Sequence, residues 1–88
     1  MSRVSRALAL KDFIWRKEVL GLYRAAMVCT REAKVDPAVR AEMVSQVRHE
    51  FERSRDEKDE LRRKFLLHTG KERIEELKEM LALASMGN

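Results

Sequence analysis

Apolar side chains return every three or four residues along most of this chain, and the intervals predict three helices. Between about Lys11 and Lys34, Val19, Leu22, Ala26 and Cys29 share one helical face, and Leu20, Tyr23 and Met27 widen it into a broad stripe. Gly21 is the weak point of this stretch, costing about 1 kcal/mol relative to alanine in a helix interior. A glycine there also suits close approach by another helix or a ligand.

VDPAVR, residues 35–40, reads as a stop and a restart. Asp36 is placed to accept hydrogen bonds from the free amides of the next helix, and Pro37 suits its first position. Val39, Met43, Val47 and Phe51 then recur at intervals of four and predict a second helix to about Ser54, with Arg40, Glu42, Gln46 and Arg53 on its polar side. In SRDEKDELRR, residues 54–63, both Ser54 with Glu57 and Asp56 with Asp59 have capping spacing, and acids suit the positive end of a helix dipole. A third helix follows with Leu61, Phe65, Leu66 and Leu67 expected inward. Thr69 and Gly70 favour a bend or brief break in it. Leu66, Gly70, Ile74, Leu77, Leu81 and Ala84 nevertheless form one uninterrupted stripe.

None of these stripes is satisfied within a single helix, and the connections are short, so consecutive helices are expected to pack antiparallel. The predicted fold is all-α, a small antiparallel three-helix bundle over residues 11–84. Residues 1–10 are expected to be a flexible basic N-terminus and residues 85–88 a frayed end.

Composition adds limits. A chain of 88 residues makes one domain with a small core, so a deep, walled active site is not expected. Three glycines and one proline leave little material for turns, in keeping with long helices. The net charge of +4 is uneven: residues 1–50 carry ten Lys or Arg against six Asp or Glu, and residues 51–88 carry nine of each. A basic N-terminal half favours acidic partners without naming one. The one cysteine, Cys29, excludes an internal disulfide. Asp12, Lys17, Glu18 and Arg24 interrupt the most apolar region, which falls short of a membrane span. The opening MSRVSRALALK is basic, contains serine and lacks acid, which fits a short organellar presequence as well as a frayed N-terminus.

Candidate chemistry is sparse. His49 and His68 lie on different helices without a cysteine at ligand spacing, which disfavours zinc. Cys29 sits on the apolar stripe, where cysteine acts as a small hydrophobe rather than a nucleophile. Glu72, Glu75, Glu76 and Glu79 interleave with Lys71, Arg73 and Lys78 as a solvated face. An enzyme is therefore not expected. RHEFERSR and ELRRKF offer arginines to phosphate, but Glu50, Glu52, Glu57, Asp59 and Glu60 run through the same segments. A protein-binding helical module fits better. On spacing alone, Leu22 and Tyr23 are core and Arg24 is a solvated neighbour. A docking role would use the Tyr23 hydroxyl and the reach of Arg24 toward an anion.

KDFIWRKEVLGLYRAAM, residues 11–27, resembles the first helix of the LYR-motif proteins, with the triplet at Leu22, Tyr23 and Arg24 and a downstream aromatic at Phe51. VRHEFERSR in the second helix and the ending IEELKEMLALA extend the resemblance through most of the chain. It implies a small helical bundle of the mitochondrial matrix, or the matrix face of the inner membrane, that binds the mitochondrial acyl-carrier protein. The only cofactor implied is the acyl-4'-phosphopantetheine that the carrier supplies, its acyl chain entering the bundle. The subgroup resembled is associated with respiratory complex I.

Carried over, Tyr23 and Arg24 would line the acyl entrance and hold the carrier's phosphopantetheine region, with Leu22 in support and Phe51 in the lining. Arg40, Arg48 and Arg55 would add positive surface, and Val19, Ala26, Met27, Met43, Val47, Phe65 and Leu66 would form the sleeve. The expected role is an adaptor in complex I assembly. The alternatives are a permanent accessory subunit of a respiratory complex and a basic nucleic-acid or ribosome-associated module.

Overall fold

The computed structural model describes residues 2–86, with side chains described as far as Leu83. It contains α1 (Arg3–Glu32), α2 (Pro37–Arg55) and α3 (Glu60–Met86), and the expected all-α three-helix arrangement holds. Of the segment expected to fray, Ser85 and Met86 close α3, whereas Gly87 and Asn88 lie outside the described residues.

The helix ends differ from the sequence reading in instructive ways. α1 begins at Arg3 rather than near Lys11, because the Ser2 hydroxyl caps it by accepting from the Ser5 amide at 3.2 Å. At α2, Pro37 takes the first position as expected, but the Asp36 carboxylate makes no capping bond. Its main-chain carbonyl instead accepts from the Arg40 amide at 2.9 Å. Neither Ser54 nor Asp56 caps α3. That role falls to Asp59, whose carboxylate accepts from the Leu61 amide at 3.0 Å.

α1 is the centre of the molecule. Contacts from Trp15 to Ser54, Tyr23 to Phe51 and Thr30 to Arg40 run α2 antiparallel to it. Those from Lys11 to Glu60, Trp15 to Arg63 and Leu22 to Gly70 run α3 parallel to it. α2 and α3 hardly touch each other. The buried residues are accordingly concentrated on the central helix and its exit: Trp15, Val19, Cys29, Thr30 and Ala33, joined by Arg63 and Ile74 of α3. No residue of α2 is fully buried.

α3 corrects two expectations. It runs unbroken through Gly70, and the face it turns to α1 is the longer stripe through Leu66, Gly70, Ile74 and Leu77. The side chain of Ala84, at the end of that stripe, lies outside the described residues. Leu61 and Phe65, expected inward, are exposed, because Arg63 occupies the inward position at the start of the helix. Val39 of α2 is also exposed.

The glycines exchange roles as well. A Cβ at Gly21 would meet nothing within 4 Å, whereas one at Gly70 would lie 3.0 Å from Leu22 Cδ1. Gly70, not Gly21, is the close-approach glycine. Gly21→Ala is therefore expected to stabilise the protein by about 0.5–1 kcal/mol through helix propensity. Gly70→Ala should gain less, since Leu22 must yield; urea midpoints of the two variants measure the difference.

Candidate functional site

The α2–α3 turn is fastened to α1 by a polar cluster that the apolar periodicity does not show. The Trp15 indole N–H donates to the Ser54 carbonyl at 2.8 Å, at the end of α2. Arg63, from the first turn of α3, donates to the Glu57 carbonyl at 2.7 Å and to an Asp12 carboxylate oxygen at 2.6 Å. Its guanidinium lies 5.4 Å from the centre of the Trp15 ring, so a buried cation has an anion, a carbonyl and an aromatic face as partners. Lys58 adds a 2.9 Å bond to the other Asp12 oxygen, and Lys11 pairs with Glu60 at 2.9 Å.

The hydrogen bond from Arg63, followed by that from Lys58, holds the Asp12 carboxyl at about 2, below its ordinary 3.8. Because the folded value is the lower one, the associated stability is complete above about pH 4 and is lost as pH falls toward 2. Asp12→Asn is expected to flatten the decline of melting temperature across that window, leaving a weaker slope from Glu60, whose carboxyl Lys11 also holds low. Parallel pH series of the two proteins would check this. An unchanged slope would remove Asp12 from the acid response.

Two turns further along α1, the triplet at residues 22–24 spreads in three directions. Leu22 packs on Gly70 of α3. Tyr23 meets Phe51 of α2 with ring centres 4.7 Å apart and planes tilted by 36°. Arg24 stays in solvent. Arg55 extends the aromatic pair, its guanidinium 5.9 Å from the Phe51 ring centre. The two inward members of the triplet thus pack on different flanking helices, Leu22 on α3 and Tyr23 on α2.

A seam opens between the C-terminal end of α2 and the first turns of α3. Glu50, Arg53, Ser54, Arg62, Phe65 and Leu66 line its part nearest the turn. Met43 shares the side of α2 that carries Glu50, seven residues later, and Leu77 shares the side of α3 that carries Leu66. On α1, half-buried Ala26 falls between the directions of Leu22, which meets α3, and Tyr23, which meets α2.

The expected sleeve residues divide. Val19 belongs to the closed core. Ala26, Met27, Met43, Val47, Phe51 and Leu66 are half-buried, while Phe65 stands at the seam's lip with 68% of its surface exposed. Arg48 is exposed on α2, where Arg53 pairs with Glu50 and Arg55 with Asp56 at the helix end. Arg40 is engaged differently: its Nε donates to the Thr30 carbonyl at 3.2 Å and a terminal nitrogen to the Ala33 carbonyl at 2.5 Å. These contacts satisfy carbonyls at the end of α1 and close the α1–α2 corner.

Sequence reasoning missed Asp12, Trp15 and Arg63. The available signal was chemical rather than periodic: a tryptophan on the core face needs a partner for its N–H, and an arginine interrupting an apolar stripe needs an anion.

The family described as Complex 1 protein (LYR family) matches residues 17–76 of this chain. LYR motif-containing protein 2 of Xenopus tropicalis is 35% identical over 78 residues, covering 89% of this chain and 88% of that protein. Its Xenopus laevis counterpart is 33% identical over a stretch of the same length. No solved structure matches the chain significantly.

Proposed function

Because this chain belongs to the LYR family of Complex 1 proteins, we propose that it is a mitochondrial adaptor that binds an acylated acyl-carrier protein and assists assembly of respiratory complex I. The observation that carries this reading is the seam: α2 and α3 each pack on α1 while scarcely touching one another. An acyl chain laid along α1 between them would meet Ala26, Met27, Met43, Val47 and Leu66, with Phe65 closing from the lip.

In this reading the phosphopantetheine arm enters beside the Tyr23–Phe51 pair, and the exposed Arg24 and Arg48 offer positive charge to its phosphate and to the carrier's acidic surface. Arg40 contributes by closing the α1–α2 corner that keeps α2 over the chain. The proposed site of action is the matrix or the matrix face of the inner membrane. No helix among the described residues is long and apolar enough to cross a membrane.

Native mass spectrometry of the protein co-expressed with a mitochondrial acyl-carrier protein tests the adaptor reading. A one-to-one complex carrying an acyl-phosphopantetheine mass is expected, and Tyr23→Ala combined with Arg24→Ala should weaken it. Absence of a complex with fully acylated carrier refutes it. Recovery of the chain with assembly intermediates favours the assembly role, and stoichiometric recovery in the mature complex assigns it instead as a permanent subunit.

A further inference from the structure

The side of α1 turned away from α2 and α3 carries an apolar cluster. Leu10, Phe13 and Ile14 are 59%, 64% and 46% exposed, and they sit together within about one turn. At about 100° per residue they fall on the opposite side of the helix from buried Trp15 and Val19. The ties from α2 and α3 reach α1 on its inner side, at Lys11, Asp12, Trp15, Leu22 and Tyr23.

Cations share the outer side. Arg3, Arg6 and Lys17 project within the arc of about 100° that Phe13 and Ile14 bound. Along the axis, the two arginines precede the apolar cluster and Lys17 follows it. All three cations are exposed and belong to no ion pair among the described residues. Over residues 3–17 the one carboxylate is Asp12, which lies outside the arc and is already held by Arg63 and Lys58.

We propose that this crest of α1 lies on an anionic lipid surface, with Leu10, Phe13 and Ile14 at the boundary of headgroups and acyl chains and Arg3, Arg6 and Lys17 on lipid phosphates. The shape suits a flat partner, since the crest is the convex back of one helix with both neighbours on its far side. No helix among the described residues can cross a membrane, so α1 would lie in the plane of the surface.

The placement of the cations decides between a lipid and a protein. They lie in line with the apolar residues instead of around them. A protein helix laid on the crest would bury these charges, and each would need a dedicated carboxylate. At a lipid surface their stems lie along the apolar layer while the charged heads stay among hydrated phosphates. A second copy of this chain, crest to crest, would set like charges against one another. The inference does not rest on carrier binding, which is assigned to Arg24 and the seam.

Flotation of the full chain with vesicles tests the proposal. Phosphatidylcholine vesicles containing phosphatidylglycerol are expected to bind at least about tenfold more tightly than phosphatidylcholine alone, and added salt should erase the difference. Leu10→Ser with Phe13→Ser should weaken binding at least about tenfold, as should Arg6→Glu with Lys17→Glu. Val4→Ser with Leu8→Ser removes comparably exposed apolar side chains from the inner side of the same helix, and should change binding less than about twofold.

All of these positions are exposed, and an unchanged urea midpoint excludes unfolding as the cause. Equal binding to the two vesicle types overturns the proposal, and so does a loss of binding confined to the Val4 and Leu8 pair. Absence of vesicle binding also overturns it, and capture of a glutamate-rich amphipathic peptide that the Leu10 and Phe13 changes abolish would then give the crest to a protein. Carrier-saturated protein should still float with the vesicles. Loss of flotation there would assign the crest to the carrier.

Discussion

Trp15→Ala is expected to cost about 3–5 kcal/mol and to leave little of the bundle folded at room temperature. Domains of ordinary stability hold about 5–15 kcal/mol, and one this small belongs near the lower end. Trp15 is 4% exposed and lies where all three helices meet. Its N–H anchors the end of α2, and its ring faces the Arg63 guanidinium that begins α3.

Truncation would therefore open a cavity, orphan the Ser54 carbonyl and remove one partner from a buried cation. Trp15→Phe retains most of the ring and loses the hydrogen bond, so its cost should be nearer 1 kcal/mol. Urea unfolding followed by circular dichroism separates these cases. A midpoint for Trp15→Ala equal to that of the unaltered protein would show that the turn is held elsewhere.

The second large effect follows from how little holds α2. Its apolar residues Met43, Val47 and Phe51 are only half-buried, and none of its residues is fully buried. If an acyl chain occupies the seam, each methylene removed from water is worth about 0.8 kcal/mol, and the same chain covers surface on α1, α2 and α3 at once. Binding to the folded state alone stabilises it by about 2.7 kcal/mol at a ligand concentration of 100 Kd and about 4.1 kcal/mol at 1,000 Kd. For a domain of this size that corresponds to a rise in melting temperature on the order of 10–20 °C.

Acyl-carrier protein is expected to produce such a rise, and carrier bearing phosphopantetheine without the acyl chain a clearly smaller one. Equal melting of the free and bound protein would refute ligand filling of the seam. Equal rises with both carrier forms would confine binding to the carrier's surface. The free chain should correspondingly be the form that aggregates, since Leu61, Phe65, Met80 and Leu83 are exposed on α3.

Much of the candidate site could be read along the chain because it is helical and local. Leu22, Tyr23 and Ala26 follow from one helical period, and Phe51 from another. What could not be read was their allocation: nothing in the spacing says that Leu22 turns to α3 while Tyr23 turns to α2. Arg40 illustrates the same limit. A basic residue at the start of a helix looks like surface charge until the carbonyls of Thr30 and Ala33 are brought within its reach.

The start of α3 shows why periodicity can choose the wrong face. Leu61 and Phe65 compete with Arg63 for the inward position, and hydrophobicity alone favours the former pair. Arg63 prevails because Asp12, the Glu57 carbonyl and the Trp15 ring together replace its lost hydration. Those partners are 51, 6 and 48 residues away in the chain, so their convergence is a tertiary event.

By itself the sequence determined the number and type of the elements and family membership, because helical periodicity, the Pro37 restart and the residues around the triplet are all local patterns. Only the tertiary structure decided that α1 is central, that α2 and α3 stand apart, that Gly70 rather than Gly21 admits a neighbour, and that Val4 and Leu8 are left uncovered. Each of these depends on where two distant segments meet. Local backbone preference carries no information about that meeting, whereas packing, burial and the pairing of charges do.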